Sequence, residues 1–341
     1  MKIDMLEAVR LGDTNQWIRT RGTDPAHPVL LLIQQGPGLP MINEVGRFAA
    51  QLGLEKDFTV VYWDQRGCGR SLRGRKSHEE ISLPMMVNDT VSLLEILHER
   101  YSTKPYVVGF SMGATVGAYA CARRPDLVTL LVAVGPDVDG VAAGNSAYDF
   151  ALQTARKRGN KRAVRQLEKI GPPPHLTVKQ FGTRVRWASN FGGVTTNTSY
   201  GGVVRGLIAS LLRSTDYSPG DVLRTLRGVT STQAALLPEI AEMYLDSTLP
   251  RIDVPIVMVQ GRLDMVAPGS AAERYFTVLQ APSKQFVWFE NSAHTPQLDE
   301  PEKFRDLLLR VRNGEPKVAT EVPQAGTSEN QQFKTKSSGA S

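Results

Sequence analysis

The chain has 341 residues, of which 41% are hydrophobic and 22% charged, and its formal net charge is +6. This composition fits an ordinary globular protein and excludes a collagen-like, low-complexity or chiefly disordered chain. No apolar run reaches the length of a membrane span and the first residues lack the apolar core of a secretory signal, so a cytoplasmic location is expected.

Residues 4–21 read as two short strands, with Gly12-Asp13 as a hairpin-type turn. Pro28-Val29-Leu30-Leu31-Leu32-Ile33 is almost continuously apolar, the mark of a strand buried on both faces. It runs into Gln34-Gln35-Gly36-Pro37-Gly38, a rigid loop able to bring backbone N–H groups close to a ligand. Residues 58–63 form the next strand. It is followed by Asp64-Gln65-Arg66-Gly67-Cys68-Gly69-Arg70-Ser71, in which Asp64 and Arg66 are expected to pair and hold the loop together. Ser82 caps an amphipathic helix that extends to Tyr101. Residues 105–108 are a short strand, and 114–122 are small, apolar and free of proline, as in a buried helix. Another strand spans 127–134. Cys68 and Cys121 lie in unlike contexts and do not make a disulfide framework.

The alternation of strand and helix breaks at Gly135-Pro136. Helical pieces follow at 147–158, 162–170, 178–190, 203–212 and 239–245. The basic cluster within 156–165 reads as a solvated helix face and not as a nucleic-acid footprint, because no aromatic residues interleave with it. Strands return at 254–259 and 284–289, and a helix at 301–312 closes the pattern. The expected organisation is an α/β core over 1–136, an inserted helical cap over 137–250, the second part of the core over 251–312, and a disordered tail over 313–341. The fold class is α/β, with a mostly parallel central sheet flanked by helices.

The chemistry centres on Gly109-Phe110-Ser111-Met112-Gly113, placed between a strand and a helix. That context makes the pattern a nucleophile elbow and Ser111 the candidate nucleophile. A serine hydroxyl needs a base, and the base needs an orienting carboxylate. On this scaffold the partners follow in the order Ser, acid, His. His27, His78 and His98 precede Ser111, and His175 lies in a proline-rich stretch of the cap. His294 alone follows the last strand, in a loop at its C-terminal end. Asp264, just past the penultimate strand, is the favoured acid, with Asp137 in reserve and Asp139 and Glu290 also placed at strand ends. The backbone N–H groups of Met112 and Gly36 are the candidate oxyanion donors. The Gln34 and Gln35 amides either enter the site or face solvent.

Together these loops resemble the α/β-hydrolases. The Gly-Pro-Gly loop and the Asp-Gln-Arg-Gly-x-Gly-x-Ser loop are most similar to those of the proline iminopeptidase-like branch of serine peptidases. The resemblance spans about residues 20–312. It implies Ser111 as nucleophile, His294 as base and Asp264 as its partner, with Gly36 and Met112 forming the oxyanion hole. The expected protein is a cofactor- and metal-independent aminopeptidase for small-molecule or short-peptide substrates, and from charge and apolar-run length no nucleic-acid or membrane partner is expected. The alternatives are a carboxylesterase, lactonase or small-amide hydrolase, and more remotely a non-catalytic binding protein of the same fold. This chain departs from the branch in having Gln34 and Gln35 where His-Gly is usual, and Met112 where Trp often stands. The branch reads the substrate amine with cap carboxylates, for which Asp149, Asp216, Glu239, Glu242 and Asp246 are possible equivalents, with Glu239 and Glu242 the substrate-binding candidates.

Overall fold

The structure is a computed structural model that describes residues 2–73 and 81–315. His78, and the part of the expected tail beyond 315, lie outside the described residues. In chain order the elements are β1 (Ile3–Leu11), β2 (Thr14–Gly22), β3 (Val29–Ile33), α1 (Val45–Gln51), β4 (Thr59–Asp64), α2 (Leu83–Tyr101), β5 (Tyr106–Phe110), α3 (Met112–Arg123) and β6 (Leu130–Val134). Then come α4 (Gly140–Lys157), α5 (Lys161–Ile170), α6 (Val178–Asn190), α7 (Tyr200–Arg213), α8 (Pro219–Ala241) and α9 (Leu245–Thr248). The chain closes with β7 (Ile256–Gly261), α10 (Gly269–Val278), β8 (Lys284–Phe289), α11 (Pro296–Asp299) and α12 (Pro301–Arg312).

One eight-stranded sheet runs in the order β1-β2-β4-β3-β5-β6-β7-β8. The pairs β1–β2 and β2–β4 are antiparallel, and every later pair is parallel. The apolar runs of the sequence explain why both faces are covered. Successive side chains on a strand point to opposite faces. Leu31, Ile33, Val61, Trp63 and Val107 therefore enter one core, with α2 and α3. Leu30, Leu32, Val60, Tyr62, Val108 and Phe110 enter the other, with α1 and α12. A third cluster lies wholly within the helices between β6 and β7, where Tyr148, Ala151, Leu167 and Trp187 pack together.

Several expected boundaries shift. The strand expected at 127–134 begins only at Leu130, after a short 3-10 turn at Pro125–Leu127. The helix expected from 147 starts at Gly140, capped by the Asp139 carboxylate on Ala142 N–H. The largest correction is α8, of which only the end was expected. Its sequence carries Gly228, three threonines and an internal Pro238, all poor helix formers. A capping box at Ser218 and Asp221 and the burial of Thr225, Gly228, Thr232, Leu236 and Leu237 override that weakness. Arg156, Lys161, Arg162 and Arg165 are solvent-exposed, and Arg156 pairs with Glu168 at 2.9 Å.

The expected pairing of Asp64 with Arg66 does not form. Arg66 turns to Asp89, with contacts of 2.7 and 2.9 Å, and to Asp13 at 2.7 Å. Asp64, fully buried, instead accepts from Met41 N–H at 2.9 Å, Ile42 N–H at 3.0 Å, Arg70 N–H at 2.8 Å and Tyr217 O–H at 2.6 Å. It thus ties the end of β4 to two loops and to the segment before α8. Burial pushes its carboxyl above the ordinary range, against the pull of those four donors. Removing it would leave several buried donors without an acceptor, each costing about 1–3 kcal/mol. Asp64→Ala should therefore lower the unfolding free energy by at least about 3 kcal/mol in a urea titration. A variant of near wild-type stability would show that water replaces this carboxylate at little cost.

Candidate active site

β5 and α3 meet at Ser111. Its φ of 52° and ψ of −123° form a conformation that strains any residue with a side chain. The turn closes because two neighbours are glycine. A Cβ at Gly109 would lie 2.5 Å from the Ala114 Cα, and one at Gly113 would lie 2.4 Å from the Ile33 carbonyl oxygen. Any larger residue would therefore push α3 off β5 or β3. The Ser111 N–H donates to the Val134 carbonyl at 2.7 Å, which holds the turn against the end of β6.

The structure brings the three expected side chains together. His294 Nε2 lies 2.8 Å from Ser111 Oγ, and His294 Nδ1 lies 2.7 Å from Asp264 Oδ2. A carboxylate can only accept here, so Nδ1 carries the proton and Nε2 is free to accept from the serine. Asp264 is itself fixed. Its Oδ1 accepts from Val266 N–H at 2.8 Å and Ala267 N–H at 2.9 Å, and its Oδ2 also accepts from Gln260 Nε2 at 3.0 Å. Gln260 escaped sequence reasoning; its signal is a polar residue at the end of the apolar run of β7. Burial disfavours the imidazolium, but the charge and hydrogen bond of Asp264 and the charge of Asp137 outweigh it, so the pKa of His294 stands above the ordinary histidine value.

The loop after β3 lies directly over the start of α3. The Gln34 side chain turns back into its own loop, donating to the Pro40 carbonyl at 2.5 Å and accepting from Gln35 N–H at 2.8 Å. Neither of its two expected orientations, into the site or to solvent, is adopted. With Gln35 N–H occupied, Gly36 N–H has no protein acceptor among the described residues, and the same holds for Met112 N–H in the first turn of α3. Two free donors therefore flank the elbow.

The remaining candidates divide. Asp137 follows β6 and is half-buried, and its segment adjoins α3, where Thr115 Oγ1 donates to the Asp137 carbonyl at 3.0 Å. Burial, helped by the charge of Asp264, pushes the Asp137 carboxyl up to about 6 against the influence of His294, Arg184 and Ser111. Asp139 caps α4 and Glu290 pairs with Arg262 at 2.9 Å, so neither serves His294. Glu239 is held elsewhere, accepting from Leu83 N–H at 3.1 Å at the start of α2, and Glu242 is exposed at the end of α8. Asp149 is exposed, Asp216 pairs with Arg19 at 3.1 Å, and Asp246 pairs with Arg274 at 2.7 Å. Arg184 on α6, which the sequence did not single out, has a buried Nε without a partner. Among the described residues no cluster of three or more His, Cys, Asp or Glu is arranged to hold a metal ion, and no helix is long and apolar enough to cross a membrane.

A family profile described as serine aminopeptidase, S33, matches residues 41–187. The chain is 29% identical over 310 residues to a protein of Bacillus subtilis (strain 168) named probable aminopeptidase YbaC, covering 90% of this chain and 96% of that one. It is 28% identical over 283 residues to the pimeloyl-[acyl-carrier protein] methyl ester esterase of Vibrio vulnificus (strain YJ016), covering 81% of this chain and 94% of that one. Among solved structures, the proline iminopeptidase of Mycobacterium smegmatis aligns with a TM-score of 0.61 at 17% identity, covering 91% of this chain and 98% of that one. At that identity the likeness is one of fold.

The Asp264–His294 bond sets a pH dependence. A base on His294 must be neutral, so kcat/KM should fall as pH drops through a value above the ordinary histidine pKa of about 6.5. In Asp264→Asn that acid limb should move to lower pH and kcat should drop by about 10³–10⁴. A pH–rate profile of both proteins checks this. A larger loss in Asp137→Asn than in Asp264→Asn would transfer the acid's role to Asp137.

Proposed function

We propose that this chain is a serine hydrolase of the α/β-hydrolase superfamily and, within it, an aminopeptidase that removes N-terminal residues from short peptides. The observation that carries the chemistry is the relay of 2.8 and 2.7 Å from Ser111 through His294 to Asp264, on an elbow flanked by two free N–H groups. The peptidase side is supported by the serine aminopeptidase profile and by the relative named probable aminopeptidase.

In this reading Ser111 Oγ attacks the scissile carbonyl while His294 Nε2 takes its proton. Asp264 stabilises the imidazolium that results. The N–H groups of Gly36 and Met112 receive the negative charge as it develops on the carbonyl oxygen. His294 returns the proton to the leaving amine, and the acyl group stays on Ser111. Water then attacks the ester through the same base and frees the enzyme. The helices of residues 137–250 act as a cap that shapes the pocket over Ser111.

A carboxylesterase is the second reading, favoured by the similarity to a methyl ester esterase. The same relay serves both reactions, and the pocket decides between them. Purified protein should turn over alanyl or prolyl arylamides, and N-acetylation of these substrates should abolish turnover. Short-chain aryl esters hydrolysed alongside inert arylamides would move the protein to the esterase side. A fluorophosphonate probe should label the wild type and leave Ser111→Ala unlabelled. Folded wild-type protein that resists labelling would remove Ser111 as nucleophile.

A further inference from the structure

An aminopeptidase needs a carboxylate that recognises the α-ammonium group of its substrate. The α-nitrogen lies about 2.5 Å from the attacked carbon, being two bonds away. The attacked carbon must in turn sit about 3–3.5 Å from Ser111 Oγ. The recognising carboxylate therefore has to lie next to the nucleophile.

The acids of the helices between β6 and β7 that were expected to do this are committed or exposed. Glu239 is bonded to the start of α2, Asp216 to Arg19 and Asp246 to Arg274, while Asp149 and Glu242 face solvent. Asp137 alone of the candidate acids combines the right place with a free carboxylate. It is two residues beyond Gly135, where a Cβ would lie 3.2 Å from His294 Nδ1 and 3.4 Å from Asp264 Oδ2. The segment is held from both sides, since Thr115 Oγ1 donates to the Asp137 carbonyl at 3.0 Å and Leu245 N–H donates to the Val138 carbonyl at 2.8 Å. Its carboxylate feels the charges of His294 and Asp264 and forms no ion pair among the described residues. Arg184 sends its charge towards Asp137 from α6 without forming an ion pair with it.

We propose that Asp137 is the specificity residue that binds the α-ammonium group of the substrate's N-terminal residue. This rests on the aminopeptidase reading above. A half-buried carboxylate that lacks a cation of its own is poorly compensated, and an incoming ammonium supplies the missing partner. An N-acetylated substrate brings no such charge. Arg184, half-buried and with its Nε unpartnered, provides a counter-charge at longer range that favours the ionised form of Asp137 between turnovers.

The test uses the whole chain and two substrates, an alanyl arylamide and its N-acetyl analogue, and reads the ratio of their kcat/KM values. The wild type should prefer the free amine by at least 100-fold. Asp137→Asn should cut that ratio by at least 30-fold, and Asp137→Glu should restore part of it. A strong wild-type preference that survives in Asp137→Asn would overturn this role and leave the aminopeptidase reading standing. A wild-type ratio near one would overturn both. A second measurement needs no variant. Asp137 is faced by Ser111, His294, Asp264 and Arg184, and titration of His294 acts equally on both substrates and cancels in the ratio. The wild-type ratio should therefore fall as pH drops through about 6, where Asp137 takes up its proton. A ratio that stays flat between about pH 5 and 7 would overturn the assignment even if the variants failed to fold.

Discussion

The site depends on how closely β3, β5 and α3 approach one another at the elbow. Ser111 sits in a backbone conformation that a free chain avoids. It persists because the glycines on either side leave no room for any other arrangement once α3 is packed on the sheet. The same approach sets the first turn of α3 against the loop after β3, so two unpaired N–H groups arise near one hydroxyl. The candidate nucleophile and candidate oxyanion donors thus come from a single packing constraint. The local strain is offset by the apolar burial of Ile33, Val107, Val108 and Phe110 around it.

A second constraint fixes the helices to the sheet. Asp64 gathers donors from the loop before α1, the loop after β4 and Tyr217. Around it Thr232 donates to the Gly67 carbonyl at 2.9 Å, Arg70 donates to the Asp216 carbonyl, and Arg73 pairs with Asp221. These are polar bonds between parts far apart in sequence. Their geometry is demanding, so they set orientation more than they add stability.

Much of this was legible in the sequence. Strands buried on both faces announce themselves as apolar runs, and β3, β4, β5 and β7 did so. Gly-x-Ser-x-Gly between strand and helix carries its own steric reason, and the chain order of Ser111, Asp264 and His294 follows from the topology. What stayed hidden depends on contacts distant in sequence. Asp64 and Arg66 are two residues apart and of opposite charge, yet Asp89 and Asp13 outcompete Asp64 for the guanidinium because β4 ends between them. The helix α8 owes its existence to packing and not to propensity. Glu239 reads as a free acid until the start of α2 is seen to claim it. Asp137 was visible as a strand-end acid, but only the fold separates its place beside Ser111 from that of Asp264 behind His294.

The loop after α6 carries a further implication. The Gly193 carbonyl accepts from Met265 N–H at 3.0 Å, and the Val194 carbonyl accepts from His294 N–H at 2.9 Å. Thr195 also bonds to Asp299 at 2.8 Å, and Asp299 holds Ala293 N–H at 3.0 Å. The loop after α6 and the histidine loop therefore share one set of hydrogen bonds. Lifting that loop to admit a bulky molecule would also slacken the imidazole. The position of the imidazole is thus coupled to the loop after α6, and neither can shift without the other.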